Sequence, residues 1–496
     1  MRLLRHLQYI WVAQQLVSGG QFESVPETAH VREPRFQGNS PSLRITTILR
    51  SFDKRRIQAT GSHALLGRPI VTGRSLMVGF FLFGTLTNSN GQAGKENRTS
   101  TDLQAGEIKA AAPALPAPSG PFGIGRVGYE WIDASRPDTF SANNPGAHRD
   151  LMVYLWYPSP RTDTKRTGTY LPGAKQMDAS PEVQRRVGDE FGPSWEQIVS
   201  GDLVSHTVEN APVADAPRHF PVVVFSHGLG SVGFAYTSLI EDLVSHGYAV
   251  ASIEHTYTAM AVVFPNGRVV TPHQEADPPG LTPEQRFQRM QASAGLAITE
   301  GARDEVFVLS KLAEMNSQRA HKFPLEGRLD IDQVAAMGHS SGGAFATLAC
   351  QMDQRFKACI SLDGALPPVA AFPEYGKGFT QPVLLLEIDH SGQPKGFDAA
   401  QESEYIKKKE AQLKACPIGS YDVVLKSAGL NHASFSDVPL LFANGKKIET
   451  EEALYNLRAT QAFVRSFLDK SLKHDTGSLF NNSSEYPGTV ITSYGH

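Results

Sequence analysis

Cysteine is scarce in this chain of 496 residues: Cys350, Cys359 and Cys416 are all it has. Their odd number and spacing exclude a disulfide framework as the basis of the fold and offer no Cys-x-x-Cys metal or redox site. At most one pair can bridge. Because Cys350 and Cys359 fall in an apolar helix and the strand after it, both read as buried thiols acting as small hydrophobes. Excess charge is lacking too. A net charge of −3, with no long basic run beyond residue 120, removes the electrostatic case for a nucleic-acid partner. The apolar stretch from Leu76 to Leu86 is only about half the length a bilayer-spanning helix needs. What the chain has in quantity is glycine, 44 residues, and a 41% apolar fraction that suffices for a large core.

Residues 1–120 differ in character from the rest. Between Arg2 and Arg68 there are ten Lys or Arg against four Asp or Glu, with no sustained apolar period, so this part reads as a non-catalytic extension. Arg68 and Arg74 precede the apolar stretch, and small and polar residues follow as far as Ala93. Residues 68–93 thus carry the charged, apolar and small-residue parts of a secretory signal in the right order but far from the N-terminus. The expectation is that translation starts near residues 68–77 and that the protein is secreted or periplasmic; without a working signal it is cytoplasmic. A Pro/Ala-rich linker from Ala110 to Pro121 leads into a catalytic domain at 121–473, and the tail, 474–496, reads as disordered.

Within the domain, short apolar runs at Val222 to Ser226, Ala249 to Glu254, Val334 to Gly338, Ala358 to Asp363 and Val383 to Ile388 alternate with helical stretches, among them 283–316 and 451–471. That pattern predicts parallel strands buried on both faces. Residues 158–220 hold no clear strand and read as a cap insertion at the mouth of the site.

Chemistry concentrates at Gly338-His339-Ser340-Ser341-Gly342-Gly343, which follows the run Val334-Ala335-Ala336-Met337. Gly-x-Ser-x-Gly between a strand and a helix describes a nucleophile elbow, a sharp turn that exposes a serine hydroxyl above the sheet. A nucleophilic serine needs a base, and the base a carboxylate, in the chain order serine, acid, histidine. His432, in a loop between the last predicted strand and the final helix, stands where the base belongs. Two carboxylates end candidate strands on the same edge, Asp363 and Asp389, and spacing alone does not separate them. The oxyanion donors are expected from the N–H groups of Ser341 and of Leu229, in the loop after Val222 to Ser226. That loop also holds a competing signal. Gly228-Leu229-Gly230-Ser231-Val232-Gly233, with Glu254 ending the next strand, is formally a dinucleotide fingerprint of an NAD(P)-binding oxidoreductase.

Val223-Val224-Phe225-Ser226-His227-Gly228-Leu229-Gly230, Asp242-Leu243-Val244-Ser245-His246-Gly247-Tyr248, the approach Asp330-Ile331-Asp332-Gln333-Val334 to the elbow, and Ala358-Cys359-Ile360-Ser361-Leu362-Asp363 together resemble the platelet-activating factor acetylhydrolases of the plasma and intracellular type II family. The resemblance covers roughly 122–470 and implies an α/β-hydrolase fold with a mostly parallel central sheet and helices on both faces. It selects Asp363 as the acid and leaves Asp389 the alternative, at a position more like that of bacterial cutinases and lipases. Where that family's elbow commonly has an aromatic residue after the serine, this chain has Ser341. The implied protein is a serine esterase without metal or cofactor that cleaves short or oxidised sn-2 acyl esters of phospholipids, with transient contact to a lipid surface. The other readings are a general carboxylesterase or a cutinase/lipase-like hydrolase and, more remotely, an inactive α/β-hydrolase that binds a ligand. Mass spectrometry of the native protein is expected to recover no peptide from residues 1–60; finding such peptides would overturn the internal start.

Overall fold

The computed structural model describes residues 115–495 except 142–145, 162–166, 273–276, 318–322, 365, 367–377, 391–398, 417–418, 428, 444–445, 476–478 and 482–484. The N-terminal extension, its signal-like segment 68–93 and most of the linker lie outside the described residues.

Two long strands open the domain, β1 (Gly123–Pro137) and β2 (His148–Ser159). Between them and the central strands lies the insertion, with short helices α1 (Ala174–Asp178), α2 (Pro181–Gln184), α3 (Val187–Glu190) and α4 (Trp195–Ser200) and short strands β3 (Gly168–Thr169), β4 (Val204–Ser205) and β5 (Thr207–Glu209). Then come β6 (Phe220–Ser226), α5 (Thr237–Ser245), β7 (Ala249–Glu254), a hairpin of β8 (Val262–Val263) and β9 (Val269–Val270), and the long α6 (Pro283–Ser317). The second half runs β10 (Leu329–His339), α7 (Ser341–Met352), β11 (Phe356–Leu362), β12 (Val383–Ile388), α8 (Ala399–Lys414), β13 (Ser420–Leu425), α9 (Val438–Ala443), α10 (Lys447–Leu472) and β14 (Val490–Tyr494).

Ten strands form one sheet in the order β14-β13-β12-β11-β10-β6-β7-β2-β1-β5. The strands from β13 to β7 pair in parallel, while β2 and β1 on one side and β14 on the other pair antiparallel. This is the α/β-hydrolase architecture. All seven residues of β6 and all six of β7 are buried, because helices cover both faces. Alternation divides their side chains. Val223 and Phe225 join the layer built with α5 and α10, and Val222 and Val224 the layer built with α6 and α7. Each such fully buried side chain contributes about 1.5–3 kcal/mol.

A polar array ties the central strands to α6. Asp304 Oδ2 lies 2.7 Å from Arg149 Nη2 on β2 and 2.9 Å from His255 Nδ1, and His255 Nε2 lies 2.9 Å from Ser226 Oγ at the end of β6. Burial opposes a charge on Asp304, but Arg149 and His255 outweigh it and hold the carboxyl far below its ordinary range. Ser226, His255 and Asp304 copy the residue types of a catalytic triad, yet all are fully buried, so they anchor the strand rather than meet substrate.

Three expectations need correction. Cys350 and Cys359 are not thiols: they form a disulfide, because the last turn of α7 returns over β11 and brings their Cα atoms to 6.3 Å. The tail, 474–496, is not disordered throughout. Its strand β14 pairs with β13, Phe480 stacks on Tyr421 with ring centroids 4.0 Å apart, and Tyr486 packs on Phe463. The insertion 158–220 does contain strand, since β5 pairs in parallel with the start of β1 and extends the sheet by one; three residues are too few for the period to show in sequence.

The sheet and α7 approach each other closely at Gly342, where an added Cβ would lie 2.2 Å from the carbonyl oxygen of Ser226. Gly342→Ala should therefore destabilise the protein by about 2 kcal/mol or more, because a backbone atom cannot yield as a side chain does. Thermal denaturation measures this, and an unchanged Tm would contradict the packing described.

Candidate active site

Strand β10 delivers Ser340 to the top of the sheet. The residue has φ 57° and ψ −122°, a conformation that a non-glycine residue adopts only when its surroundings enforce it. Two contacts do so. Ser340 N–H donates to Leu362 O at 2.9 Å, and α7 begins at the next residue. The glycine two residues earlier is required: a Cβ on Gly338 would stand 2.2 Å from the backbone of Gly342. Ser340 remains half-buried, neither sealed in nor free.

Asp363 follows β11 and is also left-handed, with φ 48°. Its N–H donates to Leu386 O at 2.8 Å, which fixes the turn that brings the carboxylate over β12. His432 Nδ1 meets Asp363 Oδ2 at 2.6 Å. Oδ1 accepts from His390 Nε2 at 2.8 Å and from Ile388 N–H at 3.3 Å. Burial by itself would raise this carboxyl, but the hydrogen bonds from His390 and His432 outweigh it and hold the group well below the usual carboxylate range. It is ionised at any pH near neutrality.

His432 starts a short turn, His432–Phe435, capped in both directions: Asn431 Oδ1 accepts Ala433 N–H, and Ser434 Oγ accepts Asn431 N–H, each at 2.9 Å. With Nδ1 on Asp363, the ring leaves Nε2 as the nitrogen for a serine hydroxyl. His390 presents the opposite nitrogen to the carboxylate, so of the two histidines His432 has the orientation of a base. Asp389, the other candidate acid, is drawn to Lys426 Nζ at 3.3 Å.

Further residues register these loops on one another. Gly228 N–H donates to the Tyr236 hydroxyl at 3.3 Å, Tyr236 lies 2.7 Å from His339 Nδ1, and His339 Nε2 lies 2.9 Å from His432 O. A carbonyl only accepts, so His339 carries its proton on Nε2, and in the neutral ring Nδ1 accepts from Tyr236. The ring preceding Ser340 thereby joins the Leu229 loop to the His432 loop. Leu229 N–H donates to Ser341 Oγ at 2.7 Å, so the two residues expected at the oxyanion hole do meet, but through the Ser341 side chain. A substrate oxygen that uses this N–H must displace or share the hydroxyl. Tyr236, His339 and the contact of His390 with Asp363 escaped the sequence reading; only the positions of these residues near the motifs could have flagged them. Among the described residues no group of three or more His, Cys, Asp or Glu side chains is arranged to hold a metal ion. Glu254 does not face a nucleotide: it is 3% exposed and accepts Gly233 N–H at 2.9 Å, and its burial pushes the carboxyl up to about 8.

With this geometry in view, the relatives are informative. The model of the family "Platelet-activating factor acetylhydrolase, isoform II" matches residues 109–275 and 296–484, well over half of the chain. The chain belongs to this family. It is 26% identical over 367 residues to the platelet-activating factor acetylhydrolase of Cavia porcellus, covering 68% of this chain and 77% of the relative. It is also 26% identical over 421 residues to a "Probable 1-alkyl-2-acetylglycerophosphocholine esterase" of Arthroderma benhamiae, covering 78% and 97%. Among solved structures, a ferulic acid esterase from Streptomyces cinnamoneus superimposes with a TM-score of 0.57 and 27% identity, over 77% of this chain and all of that one. The family and the neighbour agree on the activity class, carboxylic ester hydrolysis by a serine esterase.

In this acetylhydrolase family member the insertion reaches the Leu229 loop through a buried acid. Ser231 Oγ donates to Glu190 Oε1, and burial pushes the Glu190 carboxyl up to about 7, the Ser231 bond only partly opposing it. A folded pKa above the unfolded value means that the folded state holds the proton more tightly. This contribution to stability is fully present below about pH 4, where the unfolded carboxyl titrates, and is lost as pH rises through about 7. Asp437, also raised to about 7 by burial, acts with the same sign. Glu190→Gln is expected to shrink the fall in Tm between pH 5 and pH 8 by roughly a few degrees. An unchanged pH slope would contradict it.

Proposed function

We propose that this esterase hydrolyses short or oxidised acyl esters at the sn-2 position of phospholipids, with Ser340 as nucleophile, His432 as base and Asp363 as the acid that orients it. The observation that carries the reading is the 2.6 Å Asp363–His432 contact beside a serine held in a strained elbow. As Ser340 Oγ attacks the ester carbonyl, its proton passes to His432 Nε2, and the ionised Asp363 stabilises the imidazolium that forms. The carbonyl oxygen becomes an oxyanion held by the N–H groups of Leu229 and Ser341, the latter at the N-terminus of α7, where the helix dipole favours negative charge. His432 returns the proton to the departing alkoxide, leaving an acyl-enzyme and the lyso-lipid. Water, deprotonated by the same imidazole, then attacks the acyl carbon, and the acid and free Ser340 are released.

The substrate class rests on the names of the family and of its relatives. A broader carboxylesterase is the second reading, favoured by the ferulic acid esterase likeness. Export by the 68–93 segment belongs to the same proposal, because the Cys350–Cys359 disulfide suits an oxidising compartment. A hydrolysis panel of a short-acyl phospholipid, a long-acyl phospholipid, an aryl ester and a feruloyl ester, with Ser340→Ala as blank, decides between them. The highest kcat/KM is expected on the short-acyl phospholipid; preference for the feruloyl ester would favour the second reading. Asp363→Asn should lower kcat by about 10³–10⁴ and Asp389→Asn should leave it nearly unchanged; the reverse pattern would exchange their roles.

A further inference from the structure

We propose that His390 is a positioning residue for the catalytic carboxylate, holding the oxygen of Asp363 that His432 does not use. The inference rests on the assignment of Asp363 and His432 as acid and base. It starts from how the carboxylate is filled. Asp363 has a side chain only 1% exposed, and a buried carboxylate must have its lone pairs satisfied to stay charged. Oδ2 is taken by His432 at 2.6 Å. Oδ1 has Ile388 N–H at 3.3 Å, a long contact, and His390 Nε2 at 2.8 Å. His390 therefore supplies the short bond on that side.

The two histidines reach the group from different elements: His390 follows β12 and His432 opens the turn after β13. Asp363, set by its own left-handed turn after β11, is held between them. Rotation of the carboxylate about its terminal bond would break both contacts at once, so His390 fixes the plane in which Oδ2 faces His432. Without the Oδ1 bond the carboxylate has two ways to recover, turning toward water or taking a proton, and each weakens its grip on the His432 imidazolium in the transition state. The effect belongs to the chemical step. Substrate binding should not feel it, because the bond lies on the side of Asp363 away from His432.

The His390 side chain is itself 38% exposed, so replacing it opens no core cavity and the variants should fold. Four proteins test the inference: His390→Ala, which removes the donor; His390→Gln, whose amide nitrogen reaches about as far as Nε2 and restores it; and Asp363→Asn and Ser340→Ala as controls. The readouts are kcat and KM on a short-acyl phospholipid, with Tm for folding. For His390→Ala, kcat should fall roughly ten-fold or more with KM within two-fold of the parent, and His390→Gln should recover most of the loss. Parent-like kcat in His390→Ala, or equal loss in the Ala and Gln variants, would overturn the proposal. If Asp363→Asn or Ser340→Ala keeps parent-like activity, the triad assignment itself fails, an outcome distinct from failure at His390.

Discussion

A single negative charge buried at the end of β11 organises the site. The Asp363 carboxylate is out of water, and the hydrogen bonds that keep it ionised are the same bonds that orient His432 and engage His390. The turn that carries it is fixed by backbone, through the Asp363 N–H bond to Leu386 O and a positive φ, and the two imidazoles hold the carboxylate plane. Because β10, β11, β12 and β13 are adjacent and parallel, Ser340, Asp363, His390 and His432 follow successive strand ends on one edge of the sheet. The order serine, acid, histidine in the chain is thus a consequence of walking outward across that edge.

Close backbone approach is the second constraint. Gly338 and Gly342 bring the elbow, α7 and the end of β6 within distances that no side chain permits. The same compression packs the His339 ring against that of His432, with ring centroids 4.5 Å apart, and lets the Tyr236–His339 contact reach the His432 loop. Beneath it, the Arg149–Asp304–His255–Ser226 array fixes the strand from which the Leu229 loop springs. Buried ionic arrays of this kind gain little net stability over apolar packing, but removing one member strands the others. Reactive groups here stand on a base that tolerates little movement.

The elements whose signal is local are legible in the sequence itself. Strands β7 and β12 fall at their expected residues, and α6 at 283–317 against an expected 283–316, because long or uninterrupted apolar patterns carry their own boundaries. The tail failed for the opposite reason. Phe480, Tyr486 and the strand Val490–Tyr494 are thinly spread; the two rings are buried against Tyr421, Phe463 and Phe467, and the strand is held by pairing with β13, all remote in sequence. The disulfide failed likewise, since nothing in the spacing of Cys350 and Cys359 says that a helix end returns over the adjoining strand.

By itself the sequence determined the fold class, the family and the residue types of the site, because a nucleophile elbow needs small residues at fixed spacings and those spacings are contiguous in the chain. Tertiary structure alone decided which carboxylate His432 meets, that Ser341 turns its hydroxyl onto Leu229 N–H, and that His390 shares Asp363. Each of these is a contact between segments tens of residues apart. Such a contact depends on the rotation of a carboxylate, a hydroxyl or an imidazole ring, and no periodicity or local spacing encodes that.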